Sequence, residues 1–471
     1  MRLRVIFLLF LFISTTASLW ADTIHLKNGR TIMADQVHER GDRYVYDIGD
    51  DSYAIPKSSV DHVDAGGVPV HTNAAANVAD LPAFTPPNSL SNEGDLVGKI
   101  IVEGKVNQDS LAALESKGNP ELSATADFIA GKFEFDHGNI VQARHDFESA
   151  LHFQPENSTI LIYYSAILVR SGNASQALPY AQRAVQSAPN SPDAYTMLGY
   201  AQFASDHTKD AVASWRHSLT LRPDANVQQF LDKAQREQNV ESDFSQGESS
   251  HFVLHYEGKQ TSDVFRSQIL AALETDYEDL ARDLGNPPHD NILVTLYTEQ
   301  AFFDVTHAPT WSGAINDGKL RIPVNGLNSV TPELAHVLKH ELAHSFITQL
   351  SGGRCPPWLH EGIAQFLEPK SIAGEGHQLS ILFKAQQNIP LNALEGSFLQ
   401  FSGAQASLAY AESLAAVSYI NDTYGMSDIQ RILERLSQGN STEAALRATI
   451  HSDYGQFETD LAKYLSDKYG D

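Results

Sequence analysis

Between Asp22 and Asp64 apolar and polar positions alternate in short runs, Thr23 to Leu26, Thr31 to Val37, Tyr44 to Asp47 and Tyr53 to Ile55. Asn28-Gly29, Gly41-Asp42 and Gly49-Asp50 fall between them. Period-two alternation broken by such pairs predicts strands joined by hairpins, and Asn-Gly favours a type I′ turn. From Gly66 to Asp95 the periodicity stops and Pro, Ala, Asn and Ser take over, which predicts an extended linker, drawn over 67–118. From about Leu122 the apolar spacing turns helical. Beyond Ser249 it changes again, to a strand at His251 to Tyr256, a helix at Val264 to Leu284, and strands at Ile292 to Tyr297 and Lys319 to Val324. Helices then run to the end, so this last part reads as a separate α+β domain.

Inside the helical part, residues recur every 34 positions. Pro155, Pro189 and Pro223 share the interval, as do Ala143, Ala177 and Ala211, then Gly131, Ser165 and Gly199, and also Phe147, Ala181 and Trp215. Small residues at matched positions let paired helices approach, and proline closes the second helix of each pair. The pattern resembles tetratricopeptide repeats, three of them with a capping helix near Val227 to Gln238, over 119–240. Such a stack implies either a surface for a protein partner or a rigid spacer. The strands of 22–66, with their LKNGR and IPKSSV segments, resemble SH3-like modules, which bind partners or cap a neighbouring domain.

Composition narrows the function. At 471 residues with 42% hydrophobic and 19% charged positions the chain suits several globular domains. A net charge of -25 without a basic cluster argues against nucleic acid and against an anionic membrane surface. The single cysteine, Cys355, excludes an intrachain disulfide and a thiolate metal cage, so any metal falls to the 19 histidines and the carboxylates. Met1 to Arg4 followed by the apolar run Val5 to Ile13 and small residues up to Ala21 has the anatomy of a secretory signal, 1–21. An uncleaved anchor is the alternative, although the run is short for a bilayer span. No later segment is long and apolar enough to span, so the expectation is an exported chain, in a bacterial periplasm or secreted.

The candidate chemistry lies on a helix opened by Thr331-Pro332-Glu333 and running through Leu334 to Leu350. It contains His340-Glu341-Leu342-Ala343-His344. Four-residue spacing puts both imidazoles on one face, where they can share Zn²⁺, and Glu341 falls beside the metal as a base. Gly352-Gly353 can end this helix and Pro356-Pro357 can start the next, which opens Trp358-Leu359-His360-Glu361-Gly362-Ile363-Ala364. A tight helical hairpin would bring Glu361 in as third ligand, with His360 as a competitor.

These paired motifs, HELAH and WLHEGIAQFLE, resemble the gluzincin metallopeptidases, in particular the aminopeptidase-like branch that reads HExxH and WLNEGFA. The resemblance runs from about Ser249 to the C-terminus. It implies a thermolysin-like α+β fold, one Zn²⁺ held by His340, His344 and Glu361, Glu341 as general base, and an acidic residue at Glu368. Tyr410, opening Tyr410-Ala411-Glu412-Ser413 in the manner of that branch's YEKG segment, is implied to hold the oxyanion, with Tyr419 and Tyr424 as rivals. Where the branch carries GxMEN, whose glutamate grips a free amine, this chain reads Gly313-Ala314-Ile315-Asn316-Asp317. An amide cannot replace that charge, so internal cleavage is favoured over aminopeptidase action, with Gly313 and Ala314 pairing to the substrate backbone.

The expected molecule is therefore multidomain: a small all-β barrel, an all-α repeat stack, and a zinc peptidase domain over 249–471 that acts on peptide or protein substrates. The rival expectation is an exported scaffold with an inactive peptidase-like domain. A decayed site usually loses its base, and here Glu341 stands with all three ligands.

Overall fold

The computed structural model describes residues 22–27, 31–34, 36–48, 51–64, 90, 93–258, 261–306, 314–324, 326–396, 398, 401 and 403–470. The signal-like segment 1–21 and residues 67–89 of the linker lie outside these. The chain divides into two compact units, one carrying the N-terminal strands and the other the helical repeats with the α+β lobe.

In the first unit the strands are β1 (Asp22–Leu26), β2 (Thr31–Ala34), β3 (Gln36–Arg40), β4 (Arg43–Ile48), β5 (Asp51–Pro56) and β6 (Val60–Asp64). They pair as two antiparallel three-stranded sheets, β2-β1-β6 and β3-β4-β5, around a buried Ile24 and Val60. Among the described residues no ladder joins the two sheets, so the single barrel read from the sequence is not what the pairing displays. The turn at Asn28-Gly29 lies outside the described residues.

The second unit begins within the stretch assigned to the linker, and there the expectation fails. Helix α1 (Glu93–Ile100), a short hairpin β7 (Ile101–Val102) and β8 (Lys105–Val106), and helix α2 (Gln108–Glu115) precede the repeats. Leu96, Ile100, Leu111 and Leu114 bury themselves against Ala126, Ile129 and Ala130 of the first repeat helix. Two eight-residue helices are too short to carry a clear periodicity, and tertiary burial rather than propensity forms them.

Three helix pairs follow: α3 (Pro120–Asp136) with α4 (Ile140–Phe153), α5 (Ser158–Arg170) with α6 (Ala174–Ser187), and α7 (Pro192–Ala204) with α8 (Thr208–Leu221). Helix α9 (Ala225–Glu241) closes the stack. Pro155, Pro189 and Pro223 each stand two residues beyond a second helix, where a missing N–H costs nothing. The small positions match their partners in size. A Cβ at Gly131 would come within 2.8 Å of the Phe147 ring, and one at Gly199 within 2.4 Å of Trp215 Nε1. Where the partner shrinks to Ala181, Ser165 is accommodated, its Oγ bonded to Leu161 O at 2.7 Å.

The α+β lobe is built on a five-stranded sheet ordered β12-β13-β11-β10-β9. Its strands are β9 (Ser245–Glu248), β10 (Phe252–Tyr256), β11 (Ile292–Tyr297), β12 (Ile315–Asn316) and β13 (Leu320–Pro323). The lobe therefore starts before Ser249. Parallel pairing at β10/β11 and β11/β13 buries all six residues of β11, as a sheet covered on both faces requires. β12 is an edge strand, antiparallel to β13 with Asn316 opposite Leu320. Helices α10 (Asp263–Leu284) and α12 (Pro332–Ser351) pack together, Tyr277 meeting Phe346 edge-on at 5.3 Å. Between the strands lies α11 (Glu299–Thr306); after α12 come α13 (Pro357–Leu367), α14 (Gly376–Ala385), α15 (Gly403–Thr423), α16 (Met426–Ser437), α17 (Thr442–Ile450) and α18 (Tyr454–Tyr469).

Candidate metal centre

Helix α12 starts where its sequence instructs. Thr331 Oγ1 accepts from Leu334 N at 3.2 Å, and Pro332 takes the first turn. It stops at Gly352, which is left-handed at φ 60°, while Gly353 N returns to Thr348 O at 2.8 Å. The chain then re-enters a helix at Pro357, so α12 and α13 form the expected hairpin.

This hairpin brings His340, His344 and Glu361 together. One ligand atom from each lies within 4.8 Å of the other two, and all three residues are buried. His340 Nε2 is 3.5 Å from Glu361 Oε2, and His344 Nε2 is 3.9 Å from Glu361 Oε1. A tetrahedral zinc ion with bonds of 2.0–2.1 Å would set its ligands about 3.3 Å apart, close to these separations. Neither Glu361 oxygen accepts a hydrogen bond of ordinary geometry. A buried carboxylate in that condition costs several kcal/mol unless a cation compensates, so the donor set fits a divalent metal.

Charge inside the site is concentrated. Burial opposes protonation of His340, but Glu361 and Glu368 overcome it and push the imidazole up to about 10. Burial also lifts the Glu341 carboxyl to about 7; His340 pulls it down, Glu361 and Glu368 push it up, and the Asn316 backbone N–H pulls it down. Glu368 Oε2 stands 3.0 Å from His340 Nδ1, on the far side of the ring from Glu361. A carboxylate so placed can orient a histidine whose other nitrogen binds a metal. His360 is the competitor that does not join the group. Its ring lies 4.6 Å from that of His344, and burial, with His340 adding to it, depresses it to about 4 against the bond to the His344 backbone.

Gly362 explains how α15 comes close to α13. A Cβ there would stand 2.4 Å from Ser413 O and 2.6 Å from Val417 Cγ2, so only glycine lets α15 cross α13 beside Glu361. Gln365 Nε2 donates to the Tyr410 backbone carbonyl at 3.1 Å, and the Tyr410 ring is edge-on to Phe398. Tyr419 and Tyr424 instead pack on each other, and Tyr419 on Phe457 and Tyr464, in an aromatic cluster about 13 Å further along α15. Gly313 lies outside the described residues. Ala314, just ahead of β12, is 2% exposed. Asn316 is buried and turned to the metal helix, with Nδ2 donating to Glu341 O and Ser345 Oγ, both at 2.7 Å, and Oδ1 accepting from Gly318 N.

Sequence reasoning missed a second polar group, on the β12–β13 hairpin. Arg321, wholly buried, donates to Asp317 at 2.9 Å, to Glu237 at 2.7 Å and to Tyr297 OH at 2.8 Å. Lys319 Nζ donates to Glu237 at 2.5 Å and Asp206 at 3.1 Å. Burial would raise the Glu237 carboxyl, and Arg321 and Lys319 reverse it, holding it at about 2. The available signal was a pair of cations, Lys319 and Arg321, alternating with Leu320 and Ile322 in an otherwise buried strand.

Helices α12 and α13 and the His-His-Glu group lie in a part of the chain that matches a known family. Residues 275–467 match the family model described as the Peptidase MA superfamily. Solved structures similar to the chain include the MamA RS-1 ArsTM double mutant, at 16% identity and TM-score 0.26 over 36% of this chain and 88% of that one. Yeast Tom70 matches at 13% identity and TM-score 0.24, over 74% of this chain and 77% of that one. No curated protein matches.

Proposed function

We propose that the protein is an exported zinc-dependent peptidase that cleaves within peptide or protein substrates. The observation that supports this most is the convergence of His340, His344 and Glu361, buried, with Glu341 next in sequence to one of them. These three would hold one zinc ion, which when bound polarises a scissile carbonyl and lowers the pKa of water. Glu341 takes a proton from the attacking water and returns it to the departing amine. Tyr410 donates to the oxyanion from α15. The substrate backbone pairs beside the edge strand, at the backbone of Gly313 and Ala314.

Internal cleavage is favoured because Asn316 is a neutral amide, which cannot supply the charge-assisted bond that grips an ammonium group, and its Nδ2 is held by Glu341 O and Ser345 Oγ. Export rests on the signal-like segment 1–21. Among the described residues no helix is long and apolar enough to cross a membrane. Glu341→Gln should retain one zinc per chain while hydrolysis of a peptide library falls about 10²–10⁴-fold. Unchanged hydrolysis would overturn the reading. N-terminal acetylation of the peptides should leave cleavage intact; its loss would mean an aminopeptidase.

A further inference from the structure

The turns between the paired helices of the three repeats recur at Gly138, Gly172 and Asp206, again 34 residues apart. All three are left-handed, with φ of 77°, 70° and 65°. The same corner of every repeat faces the α+β lobe. A Cβ on Gly138 would run into the Arg354 guanidinium, and one on Gly172 would touch the Gln349 side chain at 3.0 Å. In the third repeat an aspartate takes the strained turn position that glycine adopts freely. Its carboxylate reaches Lys319 Nζ at 3.1 Å and lies 2.9 Å from His255 Nε2.

From that corner polar contacts run without a break to the metal helix. Lys319 and Arg321 meet Glu237 of α9, and Lys233 of α9 meets Asp317 at 2.7 Å. Asn316, next to Asp317, holds the carbonyl of Glu341 through its side-chain amide. Apolar packing does not hold this junction by itself. A cavity of about 160 Å³ separates Tyr200, Phe203 and Phe230 of the repeats from Ser345 and Gln349 on the back of α12.

We propose that the repeat stack is a clamp on the β12–β13 hairpin, with Asp206, Glu237 and Asn316 as positioning residues that keep Glu341 in register. The stack thus serves the chain's own active site. The role of Glu341 rests on the peptidase reading; the clamp rests on the contacts alone.

The test uses the full zinc-loaded chain carrying Asp206→Gly with Lys319→Met. This pair relieves the left-handed turn, removes one anion with one cation, and leaves the metal group untouched. Amide hydrogen exchange over residues 315–323 should quicken at least tenfold, while the repeat helices keep native protection. On a peptide that the native chain cleaves, kcat should fall about tenfold with KM and zinc content unchanged. Native exchange over 315–323 would overturn the clamp, and so would faster exchange accompanied by native kcat. If the native chain cleaves no peptide, the peptidase reading fails and the exchange measurement still decides whether the repeats hold the hairpin.

Discussion

Gly362→Ala probes the contact that sets α15 against the metal hairpin. The added methyl would stand 2.4 Å from Ser413 O and 2.6 Å from Val417 Cγ2, and the first of these is backbone that cannot rotate away. Forcing α15 outward costs about 3 kcal/mol, at the upper end for overpacking, because a main-chain carbonyl has to move. Replacing glycine by alanine inside a helix returns about 1 kcal/mol. The net is roughly 2 kcal/mol of destabilisation, which for a lobe of this size lowers Tm by about 4–8 °C. Thermal unfolding of the zinc-loaded chain reads it, with chelator competition alongside, since Glu361 shares the displaced turn. A Tm equal to or above the native value would mean that only the propensity gain is felt, and the close crossing of α13 and α15 would be refuted.

Three further outcomes are expected. Ala181→Phe should destabilise the second repeat, and adding Ser165→Gly, which recreates the Gly131–Phe147 arrangement, should recover about 1–2 kcal/mol of that loss in a double-mutant cycle by urea unfolding; strictly additive effects would contradict the size-matching argument. Burial first, and then Glu458, raises the Glu412 carboxyl from 4.5 to about 8. The folded state therefore binds more protons than the unfolded one between those values, stability falls as pH rises through them, and about 3 kcal/mol is lost by pH 7. Glu412→Gln keeps an acceptor for Ile389 N and should be more stable than the native chain at pH 8 but not at pH 4.5; a pH-independent difference would contradict the assignment. Glu368→Gln should weaken zinc binding 10–100-fold in chelator competition, through His340, and a change below twofold would remove Glu368 from the site.

Much of the architecture was legible because its signals are local. The 34-residue period depends on which residues fit against each other within one repeat, so the Gly131–Phe147 and Gly199–Trp215 pairs appear in the sequence as spacing. The metal hairpin was legible for a similar reason: its start, stop and restart are written by Thr331, Gly352 and Pro357. What escaped depends on contacts far apart in the chain. Helices α1 and α2 form because Leu96 and Leu111 find the first repeat, not through any long amphipathic pattern. Arg321 meets Glu237 across 84 residues, and no spacing rule announces such a pair. Asn316 was read as a missing glutamate, while its task, gripping Glu341 O, follows from the edge strand lying against α12. His360 and Glu361 could not be separated by spacing. Their side chains leave α13 at different angles, and only Glu361 meets the two histidines.

Zinc content is the most direct test of the central claim. The purified chain, loaded with excess zinc, dialysed and analysed for metal, should retain one ion per molecule, and so should Glu341→Gln. Glu361→Ala and His344→Ala should each retain less than a tenth of that after the same dialysis. A native chain without zinc, or a Glu361→Ala chain that still holds a full equivalent, would contradict the account.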